Sequence, residues 1–556
     1  MRGVILAGAV CVVLGVTVAG AAESAAESAA GVSGLPASGS SALGVTSAEG
    51  RGAIDASFYA LDLRLDPEAR RVSGSVRVVA RATRRTNVLP LQLAPEMHVD
   101  SVRIDDHTAP VSHDGEALRV TLPAPVERDA RIDATIFYGG TPRSEREASD
   151  ALQFGSHDGV PVVASYGLPY SARAWWPTHD TPSDKADSAT MTFTVPASMT
   201  AVSNGRLAGV HRHSDGTATY RWVEHYPIYP DVISVVATNF VSFGNTYVSA
   251  AGDSMPIIYY VFPEHLDSAR ASLAPVPGIL HSYEALFGGY PFIREKYGIA
   301  EFQIPGYREH QTITSYGAAW VAGDRRNPRT LAHEVAHQWF GNRVSVRNWS
   351  HIWLNEGFAT YAAALWREQV AGRAAYAAVM HDLDTHDFTG SVYIPDSTAV
   401  ARMFTHTTFN KGAWVLHMLR HVMGDSAFFA TLREWVRDND ARAVTTDDFR
   451  RTCETAYGSS LEWFFDEWVY GEGRPAYTIA WRTSPVRSGH DVMVSITQTQ
   501  RGHLFRMPLD LRLTTVAGDT TVVIRDSTRL QTAHFLLPAA PTRVTLDPDD
   551  WALKGE

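Results

Sequence analysis

The sequence predicts a multidomain α+β protein built in three successive parts, and three observations carry that prediction. Period-two alternation of apolar residues dominates from residue 53 to 245, with few helical patterns between. Helical spacing takes over from 246 to 470. Alternation then returns from 471 to 556. The expected architecture is an N-terminal β-sandwich of antiparallel strands, a helix-rich central domain and a small C-terminal β domain. A length of 556 residues suits about three domains, and 45% hydrophobic with 20% charged residues is ordinary globular composition.

Residues 1–21 carry one Arg and then a long apolar run ending in Ala19-Gly20-Ala21, an A-x-A-like cleavage site. They read as a secretory signal peptide, so the chain is expected to be exported, to a periplasm or the cell exterior. The alternative is an uncleaved segment that anchors the chain in a membrane, because the run approaches spanning length. Residues 22–52, rich in Ala, Ser and Gly, offer too little apolar surface to fold and are expected to be a flexible linker. In the first β part, Tyr59, Leu61, Leu63 and Leu65 alternate with other residues, and Val72, Val76 and Val78 follow a turn.

In the central part, Asn327-Pro328 starts a helix whose inward residues are Leu331, Val335 and Trp339, with Gly341 as its expected end. A second helix carries Asn355-Glu356, and a third long one spans about 411–424. FFATLREWVRD and TDDFRRTCETAYG are further amphipathic helices. Thr445 or Thr446 caps the latter, with Asp447 and Asp448 in its first turn. In the last part Met507, Leu509, Leu511 and Leu513 alternate, followed by Thr521-Val522-Val523-Ile524.

Charge and cysteine content narrow the function classes. A net charge of −11, with no basic patch interleaved with aromatics, argues against a nucleic-acid partner. The only cysteines are Cys11 and Cys453, so loss of the first segment leaves Cys453 alone and no internal disulfide. Oligomeric state is not readable from the chain.

The motif that carries chemistry is His333-Glu334-Val335-Ala336-His337, followed by Asn355-Glu356. Two imidazoles four residues apart project from one helix face, close enough to hold one metal ion. Glu356 supplies a third ligand from the next helix, and two His with one Glu leave the fourth position of a tetrahedral site open for water. Glu334, between the two His, can take a proton from that water. Nitrogen and oxygen ligation with an open position suits a Lewis-acid hydrolase, so one zinc ion per chain is expected. The set reads as a zinc hydrolase, and above all a peptidase acting on peptide substrates.

The motif, with its Glu after eighteen intervening residues in the form WLNEGFATY, resembles the zinc aminopeptidases of the membrane alanyl aminopeptidase and leukotriene hydrolase family, the gluzincin metallopeptidases. Three other segments agree: RAWWPTHDTPSDKA with SNGRL, GYREHQTITSYG, and FNKGAWVLHMLRHVMGD. The family's large helical-repeat C-terminal domain has no counterpart here, as in its shorter bacterial members. The resemblance implies an N-terminal β-saddle, a thermolysin-like catalytic domain and a small C-terminal β-sandwich. It implies His333, His337 and Glu356 as zinc ligands. Glu334 would be the general base that takes a proton from the attacking water and passes it to the leaving amine. Gly306 and Glu309 would belong to the substrate loop, with Glu309 holding the free α-amino group of a peptide.

Three positions depart from the family pattern. The catalytic Tyr, which steadies the oxyanion, aligns with Phe409, which has no donor; His406, three residues earlier, is the candidate substitute. A second amine-recognition residue aligns with Leu168, and Arg308 sits beside Glu309, free to pair with it, to attract an acidic substrate group or to face solvent. A carboxylate that orients a ligand His aligns with Ala363. The primary ligands and base are intact, which favours an aminopeptidase. A peptidase of altered specificity and a zinc-bearing pseudopeptidase that binds peptides or proteins without turnover are the alternatives.

Overall fold

The computed structural model describes residues 52–142, 152–322 and 327–555. The expected signal segment 1–21 and nearly all of the expected linker 22–52 lie outside the described residues. The expected class, multidomain α+β, is the class observed.

The N-terminal part is built on an eight-stranded sheet. Its central strands, Ile54–Asp66 and Arg71–Ala82, form a long hairpin in which Tyr59, Leu61, Leu63 and Leu65 face the same core as Val72, Val76 and Val78. Alternation puts these side chains on one face, and their burial fixes the register. The all-antiparallel expectation is corrected at one place. Ile54–Asp66 pairs in parallel with Ser188–Pro196, from Phe58 opposite Ser188 to Arg64 opposite Thr194. A parallel neighbour requires a long crossover. Part of that crossover forms a separate three-stranded sheet, Thr86–Gln92, Ala117–Val126 and Val111–Asp114. A four-stranded sheet, with Leu152–His157 at its edge, completes this part.

The strand Val241–Val248 pairs with Ser254–Val261, so hydrogen bonding places the change of sheet at residue 241, inside the expected first domain. These two strands continue into Tyr297–Phe302 and Ile313–Gly317, with the short strand Tyr307–Arg308 at the edge. Helices pack beyond that edge: Pro328–Ala336, Trp353–Ala371, Gly412–Met423, Asp425–Asp438 and Thr446–Tyr457. The Asn327 side chain accepts a hydrogen bond from Arg329 N and starts the first of them. Thr445, rather than Thr446, caps the last, in a reciprocal box with Asp448. Regular helix ends at Ala336, five residues before the expected stop at Gly341; His337 already forms the C-cap.

The C-terminal part holds two three-stranded sheets with a core of their own, formed by Val492, Val494, Ile496, Leu511, Leu513, Ile524 and Leu537. It is tied to the helices by Trp551, whose ring stacks on both His417 and His421. Among the described residues no helix is long and apolar enough to cross a membrane.

One close approach sets the spacing of helices Trp353–Ala371 and Gly412–Met423. Gly357, next to Glu356, meets Gly412 so closely that a Cβ on Gly357 would lie 3.0 Å from Gly412 Cα. Both partners are backbone and cannot swing aside. Gly357→Ala is therefore expected to force the two helices apart and cost about 1–3 kcal/mol in urea unfolding. Unchanged stability would show that the contact does not set the spacing.

Candidate active site

His333, His337 and Glu356 converge on one point, all three buried. His333 Nε2 is 3.0 Å from His337 Nε2. Glu356 Oε2 is 3.4 Å from the first nitrogen and 3.5 Å from the second. The imidazoles come from one helix and its C-cap, and the carboxylate from the first turn of Trp353–Ala371, where the helix dipole favours an anion. Burial pushes His333 from the usual imidazole value down to about 4, so its ring is neutral and its lone pair available.

Two observations show that this donor set fits a zinc ion. Both carboxylate oxygens of Glu334 are buried without a hydrogen-bond partner, although Oε1 is only 3.9 Å from His333 Nε2. Desolvation, then the nearby Glu309 and Glu356, push its carboxyl well above the usual range. A buried carboxylate in this state lacks a cation and a proton donor, and a divalent ion with a water ligand supplies both. Two His and a Glu are the donor set of an open zinc site, and His333, His337 and Glu356 can hold one such ion.

The supports of the two imidazoles differ. His337 Nδ1 donates to Asn355 Oδ1 at 2.7 Å, with Phe340 O at 3.1 Å. Gly341, at φ +115°, leaves the room: a Cβ there would lie 2.1 Å from Asn355 Oδ1. His333 Nδ1 is 3.3 Å from Thr360 Oγ1, whose own proton goes to Glu356 O at 2.8 Å. A hydroxyl one turn beyond Glu356 thus takes the place of the carboxylate missing at Ala363, which is buried in the core. Neither Asn355 nor Thr360 was singled out as a support from the sequence, though both lie in WLNEGFATY.

The turn after His337 also holds the loop that carries Gly306 and Glu309, the expected substrate loop. Asn342 N donates to His337 O, and Asn342 Nδ2 donates to Glu309 O at 2.7 Å. Gln338 Oε1 accepts from Thr312 N at 2.9 Å. Glu309 is buried, and Gly306, at φ +94°, turns the chain into the edge strand. Arg308 neither pairs with Glu309 nor points to solvent: its guanidinium lies 3.4 Å above the ring of Tyr166 from the N-terminal part. His310 Nε2 is 3.3 Å from Tyr166 O, and Leu168 is buried two residues on. The N-terminal part therefore forms a wall of the site, which no local motif reveals.

Phe409 stacks on His333, ring centroids 5.9 Å apart, from a π-helical turn at Thr407–Lys411. His406 is engaged elsewhere: its Nδ1 lies 3.1 Å from Asp387, a largely exposed carboxylate. The structure thus does not bring it to the metal ligands, because the turn that buries Phe409 faces His406 to Asp387. Tyr307 also stands near the centre, its ring 6.4 Å from that of His333. Burial, then the Glu334 and Glu356 charges, raise its phenol well above the usual value.

Asn355→Ala should leave His337 without its orienting acceptor. Zinc affinity is expected to fall roughly 10–100-fold in competition with a chromophoric chelator; unchanged affinity would assign the orientation to Phe340 O alone.

Comparison with known proteins agrees with this geometry. The peptidase M1 N-terminal domain matches residues 56–228, and the peptidase family M1 domain matches residues 306–468. Human aminopeptidase B is 26% identical over 413 residues, covering 67% of this chain and 59% of its own length. Leucine aminopeptidase 2 of Aspergillus fumigatus is 25% identical over 395 residues, covering 65% and 60%. The chain thus spans about three fifths of these relatives. Among solved structures, an M1 zinc metallopeptidase mutant of Deinococcus radiodurans bound to a Tyr-Ser-Ala substrate superposes with TM-score 0.67 at 25% identity, over 77% of this chain and 96% of that one. Aminopeptidase A of Legionella pneumophila shares the fold, with TM-score 0.76 at 18% identity over 91% of this chain and 60% of that one. With two M1 domains matched in order and the His-His-Glu centre assembled within the second, the chain belongs to peptidase family M1.

Proposed function

We propose that this chain is a zinc-dependent aminopeptidase that removes N-terminal residues from peptides. The observation that carries this reading is the buried Glu309 held beside the His333–His337–Glu356 centre by the same turn that carries His337. A carboxylate there pairs with a peptide's α-ammonium and sets the cut one residue in. Relatives named aminopeptidases support it.

Zinc held by His333, His337 and Glu356 would act as a Lewis acid on the scissile carbonyl and make a water acidic enough to react. Glu334 has both oxygens free to accept that water's proton and pass it to the leaving amine. Its burial among other carboxylates, without a hydrogen-bond partner, suits a group that must gain and lose a proton at neutral pH. Tyr307, its ring 6.4 Å from that of His333, supplies the phenol that Phe409 lacks. Arg308, pinned on Tyr166, adds fixed positive potential beside Glu309; burial lowers it only to about 10, so it stays charged.

The test is a peptide pool, half with free and half with acetylated N-termini, followed by mass spectrometry. Stepwise loss from free ends alone is expected. Glu334→Gln should lower turnover roughly 10²–10⁴-fold with zinc retained, and Glu309→Gln should abolish the preference for free ends. Cleavage of acetylated peptides by the unaltered protein would overturn the exopeptidase reading. No cleavage of either set with zinc bound would leave a peptide-binding pseudopeptidase.

Tyr307→Phe is expected to lower kcat roughly 10²–10³-fold with little change in KM or zinc content, while His406→Ala leaves kcat unchanged. The reverse result would return the oxyanion to His406.

A further inference from the structure

A second His-Glu-His cluster lies outside the active site. One donor atom from each of His157, Glu264 and His265 falls within 4.8 Å of the other two. His157 ends the edge strand Leu152–His157 of the N-terminal part, whereas Glu264 and His265 sit in the short helical turn after Ser254–Val261, in the catalytic sheet's connection. The cluster therefore spans two domains.

Its members are held as ligands are held. His265 Nδ1 is 2.5 Å from Glu301 Oε1, and Phe262 N donates to the other Glu301 oxygen at 2.8 Å. The Glu301 side chain is fully buried. A carboxylate on Nδ1 fixes the tautomer and leaves Nε2 with its lone pair, the arrangement found behind metal-ligating imidazoles. His157 stacks on Phe262, ring centroids 3.9 Å apart and 9° from parallel, so its orientation is fixed too. His157 Nε2 lies 2.7 Å from Glu264 Oε1, within ion-pair distance but without the geometry of a hydrogen bond. Glu264 is 44% exposed on its side chain, which gives an ion a way in and leaves room for water ligands. Asp158 Oδ2, 4.0 Å from His157 Nε2, is the nearest further oxygen.

We infer that His157, Glu264 and His265 form a second site for a divalent transition ion, which clasps the N-terminal part to the catalytic domain. Two imidazoles and a carboxylate select a borderline ion such as zinc, cobalt(II) or nickel(II) over calcium or magnesium. Because the ligands come from two domains, binding stabilises their docked arrangement.

The test is metal stoichiometry by elemental analysis. The full chain is stripped with chelator, reloaded with excess zinc and passed through a desalting column. Two zinc ions per chain are expected. His337→Ala should retain one, His157→Ala one, and the double variant none. Glu264→Gln, at a half-exposed position, repeats the His157 test should that variant fold poorly. In the His337→Ala background zinc should still raise Tm, and the added His157→Ala should remove the rise. One ion per chain in the unaltered protein, lost with His337→Ala, overturns the inference. So does a second ion that neither His157→Ala nor Glu264→Gln displaces, which would be adventitious.

Discussion

The architecture of the site follows from burying negative charge. Glu309, Glu334 and Glu356 are all withdrawn from water in one small volume, with Arg308 the cation placed beside them. Left so, the carboxylates oppose one another's ionisation, and burial raises both Glu334 and Glu356. A divalent ion resolves the conflict, because it offsets two charges at once and orders the imidazoles that bind it. The surrounding structure makes that arrangement rigid. A capped helix places His333 and Glu334, a glycine turn admits Asn355 to His337, and Asn342 ties that turn to the Glu309 loop.

The departures from the family pattern become intelligible in this setting. Losing a carboxylate at Ala363 leaves His333 on the Thr360 hydroxyl, a weaker acceptor at 3.3 Å. Phe409 gives up a donor but still stacks on His333, so that ligand stays fixed. Arg308 on Tyr166 makes the N-terminal part a component of the site, since moving it would unstack the guanidinium and break the His310 contact.

What was legible in the sequence was whatever is local. The two His at helical spacing, the Asn327 cap and the period-two strands are written in contiguous residues, and short-range geometry suffices to read them. Contacts between distant segments were not legible. Tyr166 under Arg308, Thr360 behind His333 and His157 beside Glu264 involve positions whose neighbours are set by tertiary packing. The helix stop at Ala336 was misread for a related reason. Gly341 signals a left-handed turn correctly, at φ +115°, but that turn comes five residues after the helix has ended. His406 looked useful because it neighbours Phe409 in sequence, and the π-helical turn faces it to Asp387 instead.

The parallel pairing of Ile54–Asp66 with Ser188–Pro196 has a consequence for how the chain is made. The earlier strand lies in the interior of the eight-stranded sheet, yet one of its neighbours is separated from it by more than a hundred residues. As the chain emerges from the ribosome, the first hairpin can form at once, but its outer edge stays open until the later strand has been synthesised. That edge bears a row of unpaired amides flanked by Tyr59, Leu61 and Leu63, a template for association with other nascent chains. At about 5–20 residues per second the exposure lasts on the order of ten seconds. The open edge is thus a hazard of the unfinished chain, and it disappears once Ser188–Pro196 has docked.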